Sequence, residues 1–294
     1  MNTYSTDEYR PLSRVDTTAP PSPGFIGEGH TAVEVVTPTA LVSSDPFVLL
    51  MDDRLDIAKR RQIGGAHPHA GLETVTLVLE GSLRDRDEGD LHAGDLVWMS
   101  AGRGIVHNEA VEAEGRSRVL QLWIALPSLG RELPPRFEIV RKQEALQLRA
   151  PGVSGWLYSG SSGELVSTTR NRVPTTLIDV TLDPGAEFLQ SLPVTYRGFV
   201  YVLEGDVGIG ESHVAAGQVG WFNPGSAERL SLQAGARGAR LVLYAGLPID
   251  EPLIQHGPFV AGSMQEVHEF HRRMRSGLFT PMSRLSATQS MMRM

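Results

Sequence analysis

The feature that most constrains how this chain can fold is an internal repeat. Glu73–Gly81 (ETVTLVLEG) followed by Leu91–Gly102 (LHAGDLVWMSAG) recurs as Arg197–Val207 (RGFVYVLEGDV) followed by Val214–Gly225 (VAAGQVGWFNPG). Leu79-Glu80-Gly81 maps onto Leu203-Glu204-Gly205 at an offset of 124, and Ala93-Gly94 with Trp98 onto Ala216-Gly217 with Trp221 at 123. Solenoids and propellers repeat every ~20–50 residues, so two copies this far apart are two homologous domains in tandem. The length of 294 residues is enough for two cores of ordinary size.

Each copy reads as strand, glycine turn, strand. Other short runs rich in Val, Leu, Ile and Thr, such as TAVEVVTPTALV, DPFVLLM and RVLQLWIAL, are separated by Gly, Pro and Asp. Runs of this kind with frequent turn signals predict an all-β fold of antiparallel barrels, not alternating βα units. Residues 1–24, rich in Ser, Thr and Pro without an apolar period, are expected to form a flexible N-terminal arm. The N-terminal barrel is expected over 25–130, a Pro- and charge-rich linker over 131–152, and the C-terminal barrel over 153–262. Ser263-Met-Gln-Glu266 is a capping-box pattern, and Met264, Val267, Phe270 and Met274 recur at helical spacing. They predict a short C-terminal helix over 263–280, covering a barrel face or edge, with a tail over 281–294.

Composition narrows the chemistry. The absence of cysteine excludes disulfides, thiolate metal sites and a cysteine nucleophile, so any metal must be held by His, Asp or Glu. A formal charge of −7 argues against direct nucleic-acid binding, which needs clustered Lys and Arg. No apolar run is long enough for a membrane span, and no basic-then-apolar leader opens the chain, so a soluble cytoplasmic protein without membrane contact is expected.

The residues with chemical content lie in the first copy. In Gly64–Glu73 (GGAHPHAGLE), His67 and His69 are two apart; in Gly102–Glu109 (GRGIVHNE), so are His107 and Glu109. Side chains two apart on a strand share a face, so two strands, each presenting two ligands, can converge on one ion. Three imidazoles and a carboxylate suit Fe(II), Mn, Ni, Cu or Zn with coordination positions left for water or substrate. His30, His92, His213, His256, His268 and His271 have no such partners and read as surface or local hydrogen-bonding groups. Gly102-x-Gly104-x-x-His107 precedes a strand and lacks a third glycine, so it is not a phosphate loop.

Gly64-x-x-His67-x-His69-x-x-x-Glu73, followed by Gly94-Asp-x-x-x-Met99-x-Ala-Gly102, resembles the two motifs of the cupin superfamily. More narrowly, HPHAGLETVTLVLEG, GDLVWMSAGRGIVHNE, LQLWIALP and EPLIQHGPFV resemble segments of the pirin family of double cupins, over roughly residues 25–278. That resemblance implies two tandem jelly-roll (cupin) barrels packed face to face, a metal in the N-terminal barrel, and quercetin (flavonol) 2,3-dioxygenase activity. Eukaryotic relatives are also linked to transcription regulation, so a non-catalytic, metal-dependent binding protein with a protein partner is the alternative. It places the metal, Fe(II) first, on His67, His69, His107 and Glu109, and leaves Glu73 open between ligand and outer-shell partner. Glu109 is the expected general base toward a small flavonol-like substrate that reacts with O2; Arg103 either sets substrate charge or solvates the rim. The family's usual basic residue after the second His is Ala70 here, and a nearby aromatic is Leu72, which is expected to alter the pocket mouth. By the repeat offsets His67 and His69 fall on Ser191 and Pro193, and His107 and Glu109 on Leu230 and Leu232, so the C-terminal barrel is expected to be metal-free. A monomer is expected, since two barrels in one chain can cover each other's sheet faces.

Overall fold

The computed structural model describes residues 9–24, 27–108 and 111–285. It forms two compact units: residues 20–142 together with the chain from Ile249 onward, and residues 143–248 together with the chain up to Ala19. Each unit is thus a central block completed by a segment from the opposite end of the sequence.

The first such segment lies where a flexible arm was expected. Strand β1 (Leu12–Thr17) pairs antiparallel with Gln218–Phe222 of the C-terminal barrel, with one register shift between Leu12 and Arg14. What anchors it is Arg10, only 1% exposed. Its guanidinium donates to the carbonyls of Ala227 (2.6 Å), Tyr196 (3.0 Å), Leu192 (3.2 Å) and Pro193 (2.9 Å). A single buried fork of donors replaces the apolar stripe that the sequence lacks.

The N-terminal barrel comprises β2 (His30–Val36), β3 (Phe47–Ile63), β4 (Ala66–His69), β5 (Leu72–Glu80), β6 (Ser82–Asp85), β7 (Gly89–His92), β8 (Leu96–Ser100), β9 (Ile105–Asn108), β10 (Val111–Ala125) and β11 (Arg136–Val140). Its large sheet runs β11-β8-β5-β10-β3-β2, with β6 joining β10 to β7. The central β5 is buried at nearly every position, as its run LETVTLVL, apolar on both faces, requires. Strands β4 and β9 stand apart in a small sheet.

The C-terminal barrel comprises β12 (Leu146–Ala150), β13 (Val153–Ser159), β14 (Thr175–Leu182), β15 (Glu187–Ser191), β16 (Arg197–Ile209), β17 (Ser212–Ala215), β18 (Gln218–Phe222) and β19 (Arg229–Gly246). Its sheet runs β1-β18-β16-β19-β14-β13-β12, with β15 paired to β19 and β17 to β16. The repeat holds at the level of pairing: Trp98 faces Val75 in the first barrel as Trp221 faces Phe199 in the second. The fold is therefore all-β with two barrels and a short C-terminal helix. The segment expected as a linker contributes two strands: β11 covers the edge of β8 and β12 pairs with β13.

One detail of the repeat is corrected by the register. His67 lies opposite His107, and it is Gln190 that lies opposite Leu230. The equivalents of His67 and His69 are therefore Gln190 and Leu192, both buried, and not the exposed Ser191 and Pro193. The offset is 123 at this point, and a shift of one residue in a strand exchanges its faces. Leu192, Leu230 and Leu232 join the apolar cluster that fills this barrel.

Residues 249–262, expected in the C-terminal barrel, belong to the N-terminal unit. The Asp45 carboxylate accepts from the backbone N–H of Ile249 (2.8 Å) and Asp250 (2.9 Å). Buried Arg131 bonds Glu266 (2.7 Å) and Glu251 (3.3 Å). Strand β20 (Phe259–Ala261) leads to helix α1 (Met264–Arg275), shorter than the expected 263–280 because Gly277, at φ +67°, ends it. Ser263 caps Glu266 N–H as expected, but the Glu266 carboxylate accepts from Gly262 N–H. Strand β21 (Thr280–Pro281) then joins β9 in parallel. Among the described residues no helix is long and apolar enough to cross a membrane.

The docking of β1 is testable. Arg10→Ala leaves buried carbonyls unpaired, a cost on the order of 3 kcal/mol. In hydrogen exchange the amides of β1 lose protection in this variant while those of β5 keep theirs; unchanged protection of β1 contradicts the anchoring role.

Candidate metal centre

Three of the four predicted ligands come together through one short antiparallel pairing. Strand β4 meets β9 with His67 opposite His107 and His69 opposite Ile105. His67, His69 and His107 form a group whose ligand atoms all lie within 4.8 Å of one another, the one such group of three or more among the described residues. His67 Nε2 and His107 Nε2 are 2.9 Å apart, and the ring centroids of His69 lie 4.9 Å from His67 and 5.1 Å from His107. Glu109 lies outside the described residues. Glu73 is fully buried on β5, opposite Ser100 and Ile124, and is not a member of the group.

The hydrogen bonds behind the rings test whether an ion fits. Gly65 C=O lies 3.0 Å from His67 Nδ1 and Pro258 C=O 3.3 Å from His69 Nδ1. A carbonyl accepts only, so each Nδ1 carries the proton and each Nε2 keeps its lone pair, the arrangement found behind metal-bound imidazoles. Nitrogens bound at about 2.1 Å in adjacent positions of one ion sit roughly 3 Å apart, which the 2.9 Å between His67 and His107 matches. The donor set fits a divalent transition metal.

Electrostatics favour the same form. Burial pushes the His69 pKa down to about 3, with charge repulsion from His67 adding to it and the Pro258 carbonyl acting the other way. Burial, then His69 and His67, hold His107 well below the ordinary histidine value. Both rings are therefore neutral, ligand-competent imidazoles at neutral pH.

His67 and His69 line a pocket of about 730 Å³. Leu49, Met51 and Trp123 give it apolar walls, Glu34, Asp53 and Gln121 polar ones. Trp123 stands edge-on to His69, with centroids 5.1 Å apart at 81°. His30 Nε2, read as a local hydrogen-bonding group, is 2.7 Å from Asp53 Oδ1. Ala70 and Leu72, the positions expected to alter the pocket mouth, are fully buried, Ala70 against Phe259 and Leu72 beside Val260, and neither lines the pocket. Arg103 is exposed and does not line the pocket. Sequence reasoning missed Pro258 and Trp123. Both lie in segments quoted for the family resemblance, EPLIQHGPFV and LQLWIALP, which was the available signal.

Two related β-barrels in one chain, with three imidazoles converging in the first, define a double cupin of metal-binding type. The family model described as "Pirin" matches residues 29–124, and that of the "Pirin C-terminal cupin domain" matches 177–280. The chain belongs to the pirin family. It is 35% identical over 249 residues to Pirin-1 of Arabidopsis thaliana, covering 82% of this chain and 85% of the relative. Among solved structures it is similar to a quercetin 2,3-dioxygenase from Acinetobacter baumannii, with a TM-score of 0.82 at 23% identity over 92% of this chain and 98% of that one. It is also similar to a bacterial pirin from Escherichia coli in complex with nickel(II), with a TM-score of 0.61 at 19% identity over 80% and 99%. These two likenesses concern the fold.

The depressed histidine pKa values set the sign of a pH effect in the chelator-stripped protein. The unfolded chain takes up a proton on His69 near pH 6.5, whereas the folded one resists to about 3, so stability is full above 6.5 and falls as pH drops. The slope for such a group is about 1.4 kcal/mol per pH unit. In urea unfolding between pH 7.5 and 5 stability falls below pH 6.5, His69 and His107 each contributing such a slope, and His69→Gln makes the fall shallower; an identical fall in both proteins contradicts the assignment.

Proposed function

We propose that the protein is a mononuclear metal-dependent oxidoreductase of the quercetin 2,3-dioxygenase type, with His67, His69, His107 and Glu109 holding one divalent ion, iron(II). The observation that carries this reading is the convergence of three imidazoles, two of which, His67 and His69, line a pocket of about 730 Å³. The size is that of a site for a small organic ligand, for which ~300–1,000 Å³ is usual. The fold likeness to a quercetin 2,3-dioxygenase and to a nickel-bound pirin supports it.

When bound, the metal supplies a Lewis acid that makes a coordinated hydroxyl more acidic and a centre at which an electron-rich substrate meets O2. The remaining tasks belong to the chain. Leu49, Met51 and Trp123 offer apolar surface against which a flat aromatic ring system can lie out of water. The Glu109 carboxylate accepts the proton of the substrate's 3-hydroxyl as general base. The Gly65 and Pro258 carbonyls fix the tautomers and ring orientations of His67 and His69. The C-terminal barrel, whose equivalent positions are Gln190, Leu192, Leu230 and Leu232, takes no metal and serves a structural or regulatory role.

The test is oxygen consumption by protein stripped of metal, reloaded anaerobically with Fe(II), and then given quercetin and O2. Wild type consumes O2 with loss of the flavonol absorbance, and His107→Ala falls to the rate of Fe(II) alone. Equal rates in both proteins contradict the proposal. No consumption by either, with metal bound, turns the reading to a metal-dependent binding protein.

A further inference from the structure

The hairpin between β6 and β7 reaches the metal strand through one carboxylate. Asp85, 4% exposed, turns back into its own loop and accepts from the backbone N–H of Asp87 (2.8 Å) and Glu88 (2.9 Å). This is the local side-chain bond by which an Asp stiffens a turn. Held in this way, Asp87 extends its own carboxylate to a different strand, where Oδ2 accepts from Asn108 N–H at 2.8 Å. Asn108 is the last residue of β9 and stands between His107 and Glu109.

The position of that bond gives it leverage. The parallel pairing of β9 with β21 covers Ile105 and Val106, and the antiparallel pairing with β4 runs on to its end at Asn108. At Asn108 the chain leaves β9 for β10, and a bond to its N–H fixes the peptide that joins His107 to Asn108. Since His107 precedes Asn108 directly, a shift of this peptide changes the reach of its imidazole. A carboxylate acceptor makes the bond shorter and stronger than a neutral one. Asp87 itself does not belong to the cluster of ligand atoms.

We propose that Asp87 is a positioning residue for the metal centre, setting the reach of His107 through the backbone of Asn108. The inference rests on the reading of His67, His69, His107 and Glu109 as a metal site, and its test separates the two. Full-length protein is stripped with chelator and titrated with Co(II), followed by calorimetry and by the visible Co(II) spectrum. Wild type, Asp87→Ala, Asp87→Asn and Asp90→Ala are compared, the last removing another hairpin carboxylate, one that bonds Arg84 on the surface. Loss of a partner that orients ligands costs about 10–100-fold in metal affinity. Asp87→Ala weakens Co(II) binding by that factor and alters the spectrum at saturation, with metal-free melting unchanged. Asp87→Asn, which keeps an oxygen acceptor, recovers most of the affinity, and Asp90→Ala binds as wild type. If the alanine variant does not fold, Asp87→Ser, too short to reach, replaces it with the same expectation. Wild-type affinity and spectrum in the truncated variant, or an equal loss in Asp90→Ala, overturns the inference while leaving the site intact. Failure of wild type itself to bind Co(II) overturns the metal reading, and the inference falls with it.

Discussion

The antiparallel pairing of Ala66–His69 with Ile105–Asn108 is the contact on which the site depends. Four residues face four, and the register puts His67 opposite His107. A slip of one residue would send one pair of ring nitrogens to the other face of the sheet. Strands this short do not hold their register unaided. The segment from Ile249 onward supplies the support. Val260 N–H bonds Ala70 C=O and Pro258 C=O takes His69 Nδ1–H beside the first strand, while Thr280 N–H bonds Gly104 C=O beside the second. Gly104, at φ +130°, is pressed so close to Phe279 that a Cβ would lie 2.2 Å from the ring. Phe259, Val267, Phe270 and Phe279 form one buried cluster behind these strands. The C-terminal helix thus serves the N-terminal barrel, and packing rather than local propensity makes the histidine register unique.

The two barrels show how little separates a site from a core in this architecture. The same pairing recurs in the C-terminal unit as Gln190 opposite Leu230, with Leu192 and Leu232 beside them, and apolar side chains fill the interior. In the N-terminal unit three of the corresponding positions carry imidazoles, and those of His69 and His107 pay a desolvation penalty when charged and are held neutral. Neutral imidazoles with their second nitrogens committed to carbonyls have a lone pair to give. A metal converts that cost into binding.

The outline of this arrangement was legible in the sequence because it rests on side-chain periodicity. The repeat gave two barrels, and the spacing of two between His67 and His69 gave ligands on one face. Contacts to backbone groups were not legible, since a carbonyl has no residue identity. Pro258 behind His69 and the four carbonyls around Arg10 are of this kind, and so β1 read as an arm. The exchange of chain ends between units was also hidden, because hydrophobic pattern tells which face is buried and not against which element. At Gln190 the offset misled by one residue, which in a strand is a whole face.

The central claim is one transition-metal ion per chain, held by the N-terminal barrel. It is tested most directly by elemental analysis of the purified protein, as isolated and after reloading, beside a variant carrying His67→Ala and His107→Ala and another carrying Gln190→Ala. The account predicts one equivalent of metal in wild type and in Gln190→Ala and none in the double histidine variant. A full equivalent retained without His67 and His107, or a second equivalent lost with Gln190, would contradict it.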